Sequence, residues 1–532
     1  MMVSRREFIK AISIIGSAAV IRPDRLLGRY NNDTNGYFGV HPFIENNPEA
    51  VFIMRTDVDS IENSTAKLQA GLDFSKTVFV PKSLENGGFP LDGNILLKPN
   101  LTCRYSTDSR YTIESTQGIQ TDCYFVEGII NGIKELGAAG DRFYLRETNC
   151  PQDFDDGGYI DLAERAGANI KDLVAPVGEI SEDDLNWIDV PDGVWFNKIA
   201  YLWPANAADT YLINIAKFKS HVMGMTLCAK NLQGLNAMPY IRHCILFQDD
   251  MAIPPEHVQP NAKTKILENY ERRKNSIPRW DRPGINGGLW HETWATRCLD
   301  NNSVTKAGLH IIEGLYGRDG HFINGPHNGL AQDFLSNIIV FGKNPFNVDI
   351  IGCWLGGHEP GNFGLFHMAM ERQMTSFLNP RDVPLYEWKT DGTAQSVILD
   401  QFERTPLKTM YLTRDYNGQT EDMWHLVDEY YDYSQVALND TPVVPPSFEL
   451  HQNYPNPFNQ QTSFEFILPE SGNARIEIFD SRGRRVDIIV DGYHGYGPHL
   501  AVWKADRFAS GVYYYRLGYS EHWTTKSMTL LK

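Results

Sequence analysis

The sequence contains no CxxC pair and no apolar run long enough to anchor it in a bilayer. Its seven cysteines, Cys103, Cys123, Cys150, Cys228, Cys244, Cys298 and Cys353, are scattered singly, so neither a zinc ribbon nor a ferredoxin-type cluster loop is encoded. The odd count leaves at least one thiol without an intrachain partner. Positive charge is also scarce: 49 Lys and Arg stand against 66 Asp and Glu, a formal charge of −17. A field of that sign repels polyanions and excludes nonspecific nucleic-acid binding. With 42% hydrophobic and 22% charged residues, the chain is globular rather than disordered, collagenous or polytopic. Its 532 residues, at roughly 150 per domain, leave room for about three folding units.

Charge separates the ends from the middle. Residues 1–30 carry six basic and two acidic residues and residues 447–532 carry nine of each, which leaves −21 on the middle. The N-terminus reads Ser4-Arg5-Arg6-Glu7-Phe8-Ile9-Lys10, then apolar from Ala11 to Ile21, a charged segment followed by a hydrophobic one of secretory length. The adjacent arginines before Glu-Phe-Ile-Lys resemble the twin-arginine signal, which implies recognition by the twin-arginine translocase and export of a protein already folded. A general secretory signal with incidental arginines is the alternative and leads to the same compartment. No Cys follows the apolar run, so no lipoprotein anchor is encoded, and cleavage is placed only between Ala19 and Tyr30.

Near the other end, Thr441-Pro442-Val443-Val444-Pro445-Pro446 reads as a semi-rigid linker, residues 441–447. Beyond it, short alternating runs such as Phe464-Glu465-Phe466 and Val512 to Leu517, separated by turns at Gly483 and Gly492 to Pro498, predict a small all-β antiparallel sandwich over 448–532. Asn453-Tyr454-Pro455-Asn456-Pro457-Phe458-Asn459, Leu468-Pro469, Phe479-Asp480 with Gly483, Ala509 to Tyr515 and the terminal Lys526 to Lys532 strand resemble, in order and spacing, the C-terminal sorting domain of type IX secretion substrates. That resemblance implies an export address read by the type IX machinery and a final location at the cell surface or outside the cell. An immunoglobulin-like carbohydrate-binding module is the alternative, with Trp503, Tyr513 and Tyr515 as stacking surfaces.

In the body, residues 38–440, strand-like runs exchange with helical patterns. Val51 to Met54, Ile95 to Leu97, Phe143 to Leu145, Tyr211 to Ile215, His310 to Ile312 and Ile338 to Phe341 read as strands; Asp122 to Leu136, Ile160 to Ala166 and Met225 to Leu232 read as helices. The pattern predicts an α/β fold with a largely parallel, doubly wound sheet, whose ligands sit outside the carboxyl ends of the strands.

Two segments place basic side chains there. Lys98-Pro99-Asn100 follows a buried strand directly. In Tyr211 to His221, alternation puts Ile213, Ile215, Lys217, Lys219 and His221 on one face, which turns from apolar to basic. An anion-binding or catalytic cluster and a solvated strand end explain this equally. The following helix carries Thr226, Lys230 and Gln233 at helical spacing, with Asn231 beside them. An unidentified small anion is therefore expected on Lys98, Asn100, Lys217, Lys219, Lys230 and Asn231, with His221 as the proton-transfer group and Glu313 or Asp349 assisting. Glu313, Asp319 and His321 offer carboxylate and imidazole ligands to a divalent ion, in a spacing that matches no defined motif. Asp153, Asp155 and Asp156 read as an acidic surface loop, and Trp280, Trp290, His291 and Trp294 as a lid or a packing arm.

Ile95 to Leu101, the helix-Gly-strand unit ending at Glu147, Ile213 to His221 with Lys230-Asn231-Leu232-Gln233-Gly234, Ile311 to Gly314, and Phe341 to Asp349 together resemble the domain-of-unknown-function family number 362. Many relatives carry iron-sulfur modules, but the cysteine motifs those need are absent here, so no cluster is implied. The resemblance implies a domain without naming a reaction or cofactor. Two functions are open: an exported α/β enzyme acting on or with an anionic ligand, and a non-catalytic surface binding or structural protein on the same scaffold.

Overall fold

Apolar runs bounded by turn residues become strands in the computed structural model, which describes residues 36–101, 118–148, 157–170, 181, 184–222, 224–237, 255–278, 280–281, 288–410, 413–414, 423–435, 448–453, 455–468, 472–494, 497–519 and 522–532. The segments expected to be the N-terminal signal, the acidic loop at Asp153 to Asp156 and the proline-rich linker lie outside them. Two compact units result: one holds the described residues up to Leu84 and Gly88–Tyr433, the other is built on Ser434–Lys532.

The first unit is mixed α/β around a nine-stranded sheet. Its strands are β1 (Val51–Arg55), β2 (Asn94–Pro99), β3 (Phe143–Leu145), β4 (Thr210–His221), β5 (Gly224–Thr226), β6 (Ala307–Arg318), β7 (Asp333–Gly342), β8 (Leu385–Trp388) and β9 (Ala394–Ser396). The order is β9-β8-β1-β7-β6-β4-β2-β3, with β5 folded back on β4. Six of the nine run the same way; β5, β7 and β9 oppose them. The run of Ile338 to Phe341 is thus a strand but an antiparallel one, because the chain doubles back from β6 to its neighbour β7 and an apolar run carries no sign of its direction.

Helices α1 (Ser64–Val78), α2 (Cys123–Glu135) and α3 (Tyr159–Ala166) share one core with the strands. Asp122 caps α2, its Oδ1 accepting from the amides of Tyr124 at 2.9 Å and Phe125 at 3.2 Å. Gly167, at φ 72°, closes α3. α1 and α2 touch through glycine: a Cβ on Gly71 would strike the Phe125 carbonyl, and one on Gly128 the Leu68 carbonyl. Alternate residues of β2 and β4 enter different cores. Ile95, Leu97, Ile213 and Ile215 pack with Phe125 and Ile129 of α2, whereas Leu96 and Leu212 pack with Leu232 and Leu235.

Those two leucines follow α4 (Cys228–Asn231) in a 3-10 turn, Leu232–Leu235. The helix expected over Met225 to Leu232 is therefore one turn long. Gly224, at φ +98°, lets the chain reverse after His221, and pairing of Thr226 with Lys219 draws the first residues into the sheet. Further on come α5 (Ala262–Arg273), α6 (Leu289–Val304), α7 (Pro345–Leu355) and α8 (Gly364–Glu371). The tryptophan-rich stretch is a packing arm: Trp290 and Trp294 of α6 join Ala229, Phe346 and Met368 in a buried cluster.

In the second unit, strands β10 (Glu449–Leu450), β11 (Gln461–Leu468), β12 (Gly472–Asp480), β13 (Arg485–His494), β14 (Gly497–Lys504), β15 (Gly511–Tyr519) and β16 (His522–Leu530) make two antiparallel sheets, β10-β11-β14 and β13-β12-β15-β16. Phe464, Phe466, Ile476, Ile478, Trp503, Tyr513, Tyr515 and Leu517 fill the core they share. Trp503, Tyr513 and Tyr515 are thereby buried, and the Tyr515 hydroxyl donates to the His451 carbonyl at 2.9 Å. Rings held this way offer no face to a sugar.

Candidate functional site

Register decides where the basic residues go. Lys98 pairs with Asn214, so both side chains leave the sheet on the side of Leu96 and Leu212; Lys217, an odd number of residues further along β4, leaves on the side of Ile213 and Ile215. The single crevice expected for Lys98, Lys217, Lys219, His221 and Lys230 is divided by the sheet itself.

On the Leu96 side, the Lys98 ammonium is 2.7 Å from Glu147 Oε2 and from the Pro99 carbonyl, and 3.1 Å from Asn231 Oδ1. Lys98 is 0% exposed. Glu147 also accepts from the amides of Leu101 at 3.2 Å and Thr148 at 2.9 Å. Burial pulls the Lys98 ammonium down from its usual range and pushes the Glu147 carboxyl up, while their mutual contact opposes both shifts. Every hydrogen bond to Glu147 is a donor's, which is the pattern of a carboxylate. Asn100 donates to Asn231 Oδ1 at 3.1 Å, and Asn231 donates to Asn214 Oδ1 at 2.8 Å. Lys98, Asn100 and Asn231 are thus brought together as expected residues, joined by Glu147, Asn214 and His310.

On the opposite face, the Lys217 ammonium lies 3.0 and 2.8 Å from the two Glu313 oxygens and 3.4 Å from the centre of the Tyr316 ring. Glu313 also accepts from the amides of Asp122 at 3.1 Å and Leu315 at 3.2 Å. Lys67 of α1 is 2.9 Å from Asp122 Oδ2, to which the Tyr316 hydroxyl donates at 2.8 Å. Two cations and two carboxylates compensate one another here, clamping α1 and α2 to β4 and β6. Burial lowers Lys217 and raises Glu313, again against the pull of the pair.

Asp349 accepts from the amides of Cys228 at 2.7 Å and Ala229 at 2.8 Å, holding the start of α4, and burial pushes its carboxyl up to about 8. Lys219 donates to the Ile119 carbonyl. Asp319 faces His327 Nε2 at 2.8 Å and the Gln332 amide at 2.8 Å, while His321 stacks near Phe322. Glu313, Asp319 and His321 thus each contact other groups, and among the described residues no cluster of three or more His, Cys, Asp or Glu side chains is placed to hold a metal ion.

What remains at the carboxyl ends of β2 and β4 is a set of polar groups short of partners. Among the described residues Lys230, half-buried, makes no hydrogen bond or ion pair, yet lies near enough to Lys98 and His221 to disfavour their charged forms. Gln233 is 2% exposed with neither amide atom bonded among the described residues, and Asn100 Oδ1 and Gln120 Oε1 are likewise buried without a partner there. His221 packs 5.4 Å from His321, and burial holds it well below its usual pKa, hence neutral at pH 7.

Residues 95–354 match the family model described as "Domain of unknown function (DUF362)". Both networks fall inside that stretch except for Lys67. Its description carries no reaction. No curated protein matches the chain. Among solved structures, a match is PorZ, described as an essential bacterial surface component of the type-IX secretion system of human oral-microbiomic Porphyromonas gingivalis: 14% identity, TM-score 0.12, over 24% of this chain and 16% of that one. A likeness at that score transfers neither fold nor function.

Sequence reasoning passed over Glu147, Lys67, Asp122, Tyr316, Asn214 and Gln120. A signal existed for Glu147: it stands two residues past the strand Phe143 to Leu145, at the same sheet end as Lys98.

Proposed function

We propose that the first unit binds a small organic anion at the carboxyl ends of β2 and β4, with Lys230 as the counter-charge and Gln233 and Asn100 as hydrogen-bonding partners. The observation that carries this reading is Lys230 itself, a half-buried cation that meets no acid among the described residues, whereas the buried Lys67, Lys98 and Lys217 each meet a carboxylate. Leaving polar groups buried and unmatched is costly, and a ligand at the open end of a doubly wound sheet relieves that cost. His221, neutral and within electrostatic reach of Lys230, is the group assigned to proton transfer in the enzyme form of the reading, although its lowered pKa makes it a weak base. Pairing of Lys98 with Glu147 and of Lys217 with Glu313 favours the alternative, a binding or structural protein, since those lysines then serve the scaffold.

The test is calorimetric titration of the full chain with malate at low salt. Binding is expected for the parent and a loss of at least about tenfold in affinity for Lys230→Met, as an ionic hydrogen bond is removed. Equal affinity in the two proteins would remove the reading's support.

The ends carry addresses in the same reading. Residues 1–30 would direct export through the twin-arginine translocase, and residues 448–532, following the 441–447 linker and the 38–440 body, would direct type IX secretion to the cell surface or beyond. The sequence blocks at both ends support this, and no described helix is long and apolar enough to cross a membrane. Removing residues 448–532 should leave soluble protein in the periplasm of its own host; fractionation that still finds it at the cell surface would refute the assignment.

A further inference from the structure

The hydrogen bonds around Asn231 fix which end of Asn100 faces the ligand, and so what the ligand must carry. The Cys228 carbonyl can only accept, so the Asn214 group 2.9 Å from it is the NH2. The Asn214 oxygen then takes the Asn231 NH2 at 2.8 Å, which also donates to the Lys98 carbonyl at 3.1 Å. Asn231 must therefore present its oxygen to Lys98, an ammonium that can only donate, and to Asn100, each at 3.1 Å. Turning any one amide over would set donor against donor or acceptor against acceptor. Asn100 accordingly uses its NH2 inward and leaves its oxygen buried and unmatched.

A second unmatched oxygen lies on the segment paired with Asn100. Gln120 adjoins Thr121, whose hydroxyl accepts from the Asn100 amide at 2.8 Å and whose own amide donates to the Asn100 carbonyl at 2.9 Å. Gln120 Oε1 has no partner. Two buried acceptors therefore lie on adjoining backbone, while the unpaired ammonium of Lys230 is one residue from Asn231, the partner of Asn100.

We infer that the anion bound by Lys230 also bears a hydroxyl or amino group, which donates to Asn100 Oδ1 and Gln120 Oε1. The ligand class is a small hydroxy- or amino-substituted acid, and Asn100 is its specificity-determining residue. Lys98 and Asn231 are positioning residues, holding the Asn100 carboxamide in its accepting orientation. This rests on the anion-binding reading above. An unsubstituted acid reaches Lys230 but strands both oxygens, the kind of mismatch that binding sites reject strongly.

Succinate, malate and aspartate, which differ at one carbon, distinguish the outcomes when titrated into the full chain. Malate or aspartate should bind at least about tenfold tighter than succinate. Asn100→Leu, and separately Gln120→Met, which leaves the Asn231 network untouched, should reduce that preference to within about threefold. Equal binding of all three acids, lost with Lys230→Met, would overturn this inference and leave the anion site standing. A preference that survives both Asn100→Leu and Gln120→Met would overturn the roles of those residues. Absence of any Lys230-dependent binding would overturn the anion site and this inference together.

Discussion

Glu147→Gln should destabilise the first unit by about 3–5 kcal/mol, because it leaves the buried Lys98 charge without its compensating carboxylate. Lys217→Met should cost a similar amount by stranding Glu313, whose pair is fully buried. Replacing Lys98 and Glu147 together with Met and Leu should restore most of the loss, since a well-packed apolar pair avoids the desolvation of two ions. The double-mutant cycle tests geometry as well. Lys98 and Glu147, 2.7 Å apart, should show a coupling above about 1 kcal/mol, whereas Lys98 and Glu313, on opposite faces of the sheet, should be additive within about 0.5 kcal/mol. Cys353 is the last of the seven cysteines, so urea-dependent thiol labelling of the buried Cys228, Cys298 and Cys353 reads this unit alone. Strong coupling between Lys98 and Glu313 would contradict the division of the site.

Stability should also peak near pH 7. Burial lowers His41 to about 4, His310 to about 3 and His358 to about 4, so between pH 4.5 and 6 the unfolded chain binds three protons there that the folded one refuses. Asp349, raised to about 8, holds one proton in the folded state that the unfolded chain has released. The net of two gives a loss of about 3 kcal/mol per unit as pH falls through that window. His221 acts in the same sense, and Glu147 and Glu313 in the opposite one. From about pH 7.5 upward the histidines are essentially neutral in both states and only Asp349 differs, so stability should decline there, by at most about 1 kcal/mol per unit. Asp349→Asn should flatten that upper limb while leaving the acid limb in place. Urea midpoints followed by tryptophan fluorescence at pH 5.5, 7 and 8 decide it; a midpoint that rises steadily to pH 8 would contradict the buried state of Asp349.

The strands were legible because their apolar runs are dense and bounded, and the helix at Cys123–Glu135 because Asp122 and Gly137 mark its ends. The basic face of β4 was legible from alternation within one strand. The facing of Lys98 was not, because it depends on the register of β2 against β4, set by chain more than a hundred residues away. Partners were hidden for the same reason: Lys98 meets Glu147 and Lys217 meets Glu313 across separations of 49 and 96 residues. Asp319 and His321 attracted attention as candidate ligands among glycines, yet they belong to the connection that turns β6 back into β7. At Gly224 a single positive φ converted an apparent helix into a hairpin, and helical spacing gave no warning.

The central claim is that Lys230, rather than the paired lysines, receives an anion, and a crystal structure of the full chain with malate tests it most directly. The expected result is a carboxylate against the Lys230 ammonium and Gln233, with the malate hydroxyl on Asn100 Oδ1 and the Lys98–Glu147 pair intact. An empty site at saturating malate, or malate held instead by Lys98 or Lys217 with their acids displaced, would contradict it.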